Sequence, residues 1–387
     1  MIPAAVVLVA FLLSNMPSPI YPLWHEDIGF PVSTITVLFS LYQAGVLIGL
    51  LGLGRQADKL GWRVSLVGAT LLSLVAALVF ASAHSAWALM AGRLLSGLAA
   101  GIFVSCGPAA VTAVMEREGH SRPSLVASLA ISCGLAFGPL LGGLFADFAP
   151  APTRLVFIVE VCLLAIGAVA LFRDPKLSFS RTLSNIGASA FTAPEHNVAG
   201  RRSLFVVVTI IFTSCYITSG IYMSIGSSYL QQTLGVSSAS LAGLLVFLVF
   251  GSAFLGQLVF AKKTPLLQAS VALGAGGVGA VILVAGILTH SPVALFTSAV
   301  LSGASQGLGQ LVGLTVVRHI TPLHKLRGAY AILNTVGYGV SGGSIAASWP
   351  LFGLLGTSGA ILVIASIVVL LTLVSGVLTF SNRNRIK

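Results

Sequence analysis

Two ionisable side chains, Arg93 and Glu160, lie within long apolar stretches of the sequence. A charged group inside a bilayer is costly, and such residues mark functional sites by default. Both would enter the membrane from the same side at a similar depth, so they could meet within one bundle of helices. An opposite charge favours an ionised carboxylate and burial disfavours it, so such a pair can act as a proton switch. Two structural alternatives stay open: Arg93 snorkels to the membrane surface, or Glu160 only neutralises Arg93 or Arg154.

Further polar side chains also fall within apolar runs, where such groups face a water-filled cavity or another helix. These candidates for a substrate cavity are Asn15, Tyr42, Gln43, Tyr216, Tyr222, Gln257, Gln306, Gln310, Asn334 and Tyr338. Each of them could equally serve as packing between helices. Aromatic rings with few charges suit an apolar or weakly cationic solute. Because no nucleophile–base pair, metal-ligand cluster or phosphate-binding loop accompanies them, we do not expect an enzyme.

The elements that must position these residues are membrane spans. Apolar residues make up 56% of the 387 residues and charged residues only 7%, with a mean hydropathy of +1.02. Soluble domains have about 25% charged residues, and a spanning helix needs about 20 mostly apolar residues. The sequence therefore predicts an all-α membrane protein with twelve spans. The runs are 3–24, 33–53, 64–82, 86–113, 123–146, 154–172, 204–228, 239–260, 266–288, 292–316, 327–347 and 357–379.

The Lys and Arg residues fall in every second gap between these runs, with Arg93 and Arg154 as the two exceptions among 20. Cationic loops stay in the cytoplasm, so the alternation predicts that both termini are cytoplasmic. The net charge of +11 is then a topological signal and not a nucleic-acid-binding surface. The four cysteines lie within predicted spans and show no disulfide or metal spacing. The first run lacks a cationic start, so we expect a retained span and not a cleaved signal peptide.

The longest polar gap divides the spans six and six, and we interpret residues 173–203 as a cytoplasmic linker. It separates an amino-terminal six-helix bundle, 1–172, from a carboxy-terminal bundle, 204–380. A cytoplasmic tail, 381–387, follows.

Two internal matches suggest that the halves are repeats. Leu95-Ser96-Gly97 matches Leu301-Ser302-Gly303, and Gly142-Gly143 matches Gly342-Gly343. Parallel repeats typify one class of secondary transporters, in which the substrate site lies at the repeat interface. Chance matching among 43 glycines is the alternative.

A short basic loop after the second run reads Gly54-Arg55-Gln56-Ala57-Asp58-Lys59-Leu60-Gly61-Trp62-Arg63. It resembles the signature loop of the major facilitator superfamily, G-x-x-x-D-(R/K)-x-G-(R/K)-(R/K), with Trp62 in place of one expected cation. The resemblance implies that the acid and its basic neighbours lock the two halves together on the cytoplasmic side in one stage of the cycle. The residues implied in this gate are Gly54, Asp58, Lys59, Gly61 and Arg63. An ordinary basic loop is the alternative.

The fifth run carries Gly134, Gly138, Pro139, Gly142 and Gly143 in the pattern G-x-x-x-G-P-x-x-G-G. This resembles the motif of antiporter members of the superfamily, chiefly drug exporters. Proline bends a helix, and small residues let a neighbouring helix come close. The resemblance implies a hinge that acts on motion and leak-tightness. A generic kinked packing helix is the alternative.

Arg93, followed by Gly97 and Gly101, resembles the R-x-x-x-G element of the same exporters, where the arginine is tied to proton coupling. The matching position in the second half is Ala299. The internal repeat therefore does not require a cation there.

The resemblance covers nearly the whole chain and implies the major facilitator fold, with two six-helix bundles related by a pseudo-two-fold axis. It implies a proton antiporter of the cell (inner) membrane that exports small, apolar or drug-like solutes by alternating access. The expected partners are a small-molecule substrate, protons and the lipid bilayer. We expect no cofactor, metal, nucleotide or nucleic acid. The first run has no acid at mid-depth, so an uncoupled or uptake facilitator for a small metabolite is an alternative. A transport-dead membrane sensor is another.

Overall fold

The computed structural model describes residues 2–53, 62–119, 123–174, 198–222, 226, 229–230, 235, 238–321, 323–347 and 349–383. These residues are almost entirely helical and include no β-strand, as the sequence predicts. The loop residues Gly54, Asp58, Lys59 and Gly61, and most of the linker predicted at 173–203, lie outside the described residues.

The described residues of the first half form seven helices, because the first predicted span is broken in two. They are α1 (Ile2–Asn15), α2 (Tyr21–Ile28), α3 (Ser33–Ile48), α4 (Trp62–Ala81), α5 (Ala86–Arg117), α6 (Pro123–Phe148) and α7 (Leu155–Arg173). A 3-10 turn, Ser18–Ile20, joins α1 to α2, and a π-helical turn, Gly49–Leu53, extends α3. Pro17 and Pro19 lie at the break in the first span, where each lacks the N–H group that would continue the helical ladder.

In the second half, six further helices are formed by the described residues. They are α8 (Val198–Ile221), α9 (Ala239–Phe260), α10 (Pro265–Leu288), α11 (Pro292–Ile320), α12 (Leu323–Ala347) and α13 (Trp349–Ser381). Thr264 and Ser291 cap the starts of α10 and α11, each followed by a proline at the first helical position. Within α13, Gly356 takes a positive φ of 68° and interrupts the helix, so the predicted run at 357–379 matches the part after this kink.

Eleven stretches among the described residues are long and apolar enough to cross a membrane. The predicted span at 327–347 corresponds to α12, which brings the helices that match predicted spans to twelve. A helix satisfies its own backbone hydrogen bonds and can therefore cross the apolar core of a bilayer. The chain is a multi-pass membrane protein.

The helices form two compact units. The first unit contains α1 to α7 and the beginning of α9, through Phe247; the second contains α8, the rest of α9 from Leu248, and α10 to α13. In the first unit, α5 packs on α3 and α4, α6 packs on α1, and α7 packs on α4. In the second unit, α11 packs on α8 and α10, and both α12 and α13 pack on α8.

One of the two internal sequence matches corresponds to the same helix contact in both units. A Cβ atom at Gly97 or Gly101 of α5 would collide with backbone carbonyls of α3. A Cβ atom at Gly303 or Gly307 of α11 would collide in the same way with backbone carbonyls of α9. The second and fourth spans of each half thus approach through the same pair of glycines, as expected for helices that gain nothing from hydrophobicity in lipid.

The other match has no such counterpart in the packing. Gly143 lies against the backbone of Ala239, whereas a Cβ atom at Gly343 would meet no atom within 4 Å.

Candidate functional site

Arg93 lies in the first turns of α5 and is 2% exposed. Its Nε donates a hydrogen bond to the hydroxyl of Tyr21, and its Nη1 donates to the carbonyl oxygen of Ser14 at 2.6 Å. Its Nη2 donates to Oγ of Ser18 at 3.4 Å. The break in the first span makes this possible, because carbonyls in the last turn of a helix have no partner within it.

Two tyrosine rings complete the surroundings of this guanidinium. Cζ of Arg93 lies 5.1 Å from the ring centroid of Tyr21 and 5.4 Å from that of Tyr42. Ring faces attract cations within about 6 Å of the centroid. The groups described in contact with the Arg93 guanidinium are therefore hydroxyl and carbonyl dipoles and the faces of aromatic rings. The side chain does not snorkel to the surface.

Glu160 is 1% exposed, and its Oε1 has no hydrogen-bond partner. It lies on the buried face of α7, one turn after Phe157. The ring of Phe157 stacks on Trp24, with centroids 5.6 Å apart, and on Phe80, with centroids 5.2 Å apart. Glu160 thus lies one helical turn from an aromatic stack formed by side chains of α2, α4 and α7.

The predicted meeting of Arg93 and Glu160 is not found: these two described residues form no ion pair, and the described donors of Arg93 go to the first span. An indirect connection runs through α2. Tyr21 contacts Arg93, and the rings of Tyr21 and Trp24 lie 6.2 Å apart. Trp24 then stacks on Phe157. The proton role of both residues stays a prediction.

The glycines of the predicted hinge form the contact between α6 and α1. A Cβ atom at Gly134 or Gly138 would collide with the backbone of α1, and one at Gly142 would collide with the carbonyl of Met16 just after α1. Pro139 lies inside α6, and its carbonyl oxygen lies against Gly243 of α9. Gly143 also faces α9, so the motif contacts two helices along one side of α6.

Asp147 was not singled out by the sequence, yet its carboxylate makes three hydrogen bonds at the start of α9. Its Oδ2 accepts from Oγ of Ser238 at 2.7 Å and from the backbone N–H of Ser240 at 2.8 Å. Its Oδ1 accepts from the backbone N–H of Ala239 at 2.9 Å. A serine before an apolar run is a helix-start signal, but no local pattern identifies a partner 91 residues away.

In the second unit, five of the candidate cavity residues are half-buried. The rings of Tyr216 and Tyr338 meet edge to face, with centroids 5.0 Å apart. Nδ2 of Asn334 donates to the carbonyl oxygen of Tyr330 at 2.9 Å. Gln310 accepts a hydrogen bond of 3.4 Å from Gln257, which is also half-buried. These side chains are placed on α8, α9, α11 and α12.

Four other candidates are buried. The hydroxyl of Tyr222 donates to Oγ of Ser298 at 2.9 Å. Nδ2 of Asn15 donates to the carbonyl oxygen of Leu135 at 3.4 Å. Gln43 and Gln306 are buried with an unpartnered Oε1.

Arg63 is the only signature-loop site candidate within the described residues, and it contacts an aromatic ring. Its Cζ lies 5.2 Å from the ring centroid of Phe172, at the end of α7. This contact ties the start of α4 to the end of α7.

A family model, described as "Major Facilitator Superfamily", matches residues 4–346. The chain belongs to the major facilitator superfamily. Over 240 residues it is 23% identical to the quinolone resistance protein NorA of Staphylococcus aureus (strain MRSA252), covering 60% of each protein. Over 187 residues it is 28% identical to the methyl viologen resistance protein SmvA of Salmonella typhimurium, covering 46% of this chain and 37% of SmvA.

Solved structures show the superfamily fold over the whole chain. A POT family transporter in complex with a thioalcohol-conjugated peptide superimposes with a TM-score of 0.75 at 12% identity, covering 99% of this chain and 95% of that one. The nucleoside transporter NupG gives 0.74 at 13% identity, with 97% and 98% covered. The superfamily and these relatives are transporters rather than enzymes, as the sequence predicts.

Proposed function

We propose that this member of the major facilitator superfamily is a secondary active transporter that exports small, apolar or drug-like solutes by alternating access. Proton antiport supplies the energy. The observation that carries the proposal is the pair of buried ionisable groups in the first unit, Arg93 and Glu160, each about 2% exposed or less. Intramembrane ionisable groups are costly and persist where they serve transport.

Glu160 is the group that binds and releases the proton. Its buried Oε1 has no partner, and an uncompensated buried carboxylate is far more costly than the neutral acid. In this conformation Glu160 therefore carries a proton. Exposure of the α7 face to water would release that proton.

Arg93 holds a permanent positive charge, because a guanidinium does not lose its proton in proteins. Its role is to bias the proton affinity of Glu160 through the contacts of α2. Movement of α2 would shift Tyr21 and Trp24 together, since they lie three residues apart on one short helix. The contacts of Arg93 with Tyr21 and the contacts of Trp24 with the aromatic stack would then change together.

The substrate cavity is formed by the polar and aromatic candidates on the spans. In the second unit, the support is the half-buried pair Tyr216 and Tyr338 together with Asn334 and Gln310. Relatives named for quinolone and methyl viologen resistance support a drug-like solute.

The cytoplasmic gate and the membrane placement rest on sequence. Asp58 with Lys59 and Arg63 gates the cytoplasmic side, and the α6 motif around Pro139 shapes the hinge. The alternation of Lys and Arg places both termini in the cytoplasm and the protein in the cell (inner) membrane.

Everted membrane vesicles with a fluorescent dye such as ethidium test the proposal. An acidic lumen should drive dye accumulation, and an uncoupler should abolish it. Glu160→Gln removes the proton site and should abolish gradient-driven accumulation, whereas Glu160→Asp should retain part of it. Asp27→Asn, which changes an exposed acid at the end of α2, is the matched control and should behave like the parent. Dye accumulation that is the same with and without the uncoupler would exclude proton antiport.

An uncoupled facilitator is the second candidate. It is favoured by the absence of an acid at mid-depth in the described first span and by the lack of an ion pair between Arg93 and Glu160. A facilitator would equilibrate the solute across the membrane at the same rate with and without the uncoupler.

A further inference from the structure

The start of α9 is held by a side chain from another helix. The carboxylate of Asp147, in the last turn of α6, accepts hydrogen bonds from Ser238, Ala239 and Ser240 at 2.7 to 2.9 Å. The first N–H groups of a helix have no partner within it, and its N-terminus carries partial positive charge. A carboxylate at this position satisfies two such groups and complements that charge.

Two glycines bring the backbones of α6 and α9 together beyond this first turn. Gly143 lies against the carbonyl of Ala239, and Gly243 lies against the carbonyl of Pro139. The rings of Phe137 and Phe247 then meet edge to face, with centroids 5.2 Å apart. Phe247 is the last residue of α9 that belongs to the first unit.

The helix α9 is thus divided between two units although it is continuous over 22 residues. If the two units move during transport, α9 cannot follow both. Small-residue contacts in lipid gain only close packing and no hydrophobic driving force. The hydrogen bonds that the Asp147 carboxylate accepts at the start of α9, which we call the clasp, therefore contribute to keeping this segment on α6.

The start of α9 also has a cap of its own. Oγ of Ser238 accepts from the backbone N–H of Leu241 at 3.3 Å. When Asp147 withdraws, Ser238 keeps capping the helix, and the two other N–H groups can turn to water. The clasp can consequently open without unwinding α9.

We propose that Asp147 is a positioning residue for transport, which clasps the first turn of α9 onto α6 and must release it in each transport cycle. This inference rests on the proposed function as an alternating-access transporter. It adds a residue outside the family motifs and a step in which the beginning of α9 leaves the first unit.

A labelling experiment tests whether Asp147 holds α9. Ala239→Cys places a thiol at a buried position under the clasp, 7% exposed. In intact cells, a membrane-impermeant maleimide should label it slowly in the parent. Labelling should become about fivefold faster with Asp147→Ala, because loss of a helix cap shifts such an equilibrium by roughly that factor. Asp147→Asn should lie between the two, since asparagine still caps but carries no charge.

Two controls separate the clasp from general damage. Labelling of the native Cys133, in the middle of α6, should not change, and folded protein should be recovered in parental amounts. Asp27→Asn should leave the labelling of Ala239→Cys at the parental rate. Unchanged labelling with Asp147→Ala, or an equal increase at Cys133, would overturn the clasp.

A cross-link tests the release. The side chains of Asp147 and Ser238 are in contact, so the pair Asp147→Cys and Ser238→Cys can be joined by oxidation or a short reagent. Joining them should stop the dye transport that the reduced double variant retains in vesicles, and a reductant should restore transport to that level after oxidation. Undiminished transport by the cross-linked protein would refute the release step. If the parent itself moves no dye, the proposed function fails, while the labelling still decides whether Asp147 holds α9.

Discussion

The hydroxyl of Tyr21 accepts a hydrogen bond from Arg93, and the second unit repeats this arrangement with Tyr222 and Ser298. Tyr21 follows α1 and Tyr222 follows α8, which are the first helices of the two halves, and each partner lies on the fourth span. The two halves thus keep the same connection but differ in charge, because a cation in the first unit corresponds to hydroxyl groups in the second. From this asymmetry we predict that the charge-dependent steps of transport depend on the first unit.

Tyr21→Phe should destabilise the protein and impair gradient-driven transport. The change removes the acceptor of Nε of Arg93 and leaves a buried charged donor unpaired, which costs about 1–3 kcal/mol. Thermal unfolding in detergent measures the first effect, and dye accumulation in energised vesicles measures the second. Parental values in both assays would show that the Tyr21 hydroxyl has no role.

Tyr222→Phe is the matched variant in the second unit, and it should destabilise the protein less than Tyr21→Phe does. Oγ of Ser298 keeps a hydrogen bond of 2.8 Å to the carbonyl of Leu295, while the Tyr222 hydroxyl also loses the bond of 3.3 Å that it accepts from Oγ of Ser302. Both lost interactions are neutral and worth about 1 kcal/mol each, and no charged donor is left unpaired. Sensitivity of dye transport to an uncoupler should stay parental. A loss of uncoupler sensitivity as large as that of Tyr21→Phe would contradict the assignment of charge-dependent steps to the first unit.

Gly138→Ala should weaken the contact between α6 and α1. The added methyl group would collide with the carbonyl oxygen of Leu12, and overpacking of this kind costs about 1–3 kcal/mol. The control is Gly343→Ala, where the added Cβ meets no atom within 4 Å and alanine improves helix propensity by up to about 1 kcal/mol. Unfolding midpoints of the two variants should therefore shift in opposite directions. Equal shifts would argue against the close approach at Gly138.

A cysteine introduced by Ser180→Cys in the linker should be labelled only from the cytoplasmic side. The prediction follows from the Lys and Arg residues around this position. An impermeant thiol reagent should react in everted vesicles and not in intact cells. Reaction in intact cells would reverse the predicted topology and the direction assigned to transport.

The spans were predictable because each depends on a local property, the length of an apolar run. The start of α9 at Ala239 and of α11 at Pro292 agree with the predicted runs. The break in the first span was not predicted, because the run at 3–24 was judged only by its apolar length. Pro17 and Pro19 within this run are the local signal that could have located the break after Asn15.

The candidate site was only partly predictable. Arg93 and Glu160 stand out by charge alone, and the structure confirms that both are buried. Their expected meeting was wrong, because depth along the membrane does not determine which way a side chain points. Tyr222 was predicted in a cavity and is buried against Ser298, since a polar group in a span serves packing and cavity equally well by sequence.

By itself, the sequence determined the class of protein, the number of its spans, the predicted side of each loop and the superfamily. These follow from hydrophobic length, charge placement and short motifs, all of which are local. Only the tertiary structure decided that Arg93 binds Ser14, Ser18 and Tyr21, and that Asp147 reaches the start of α9. The physical reason is that successive residues rotate about a helix axis by roughly 100°. Spans that are apolar on every side give no pattern to show which face meets which neighbour.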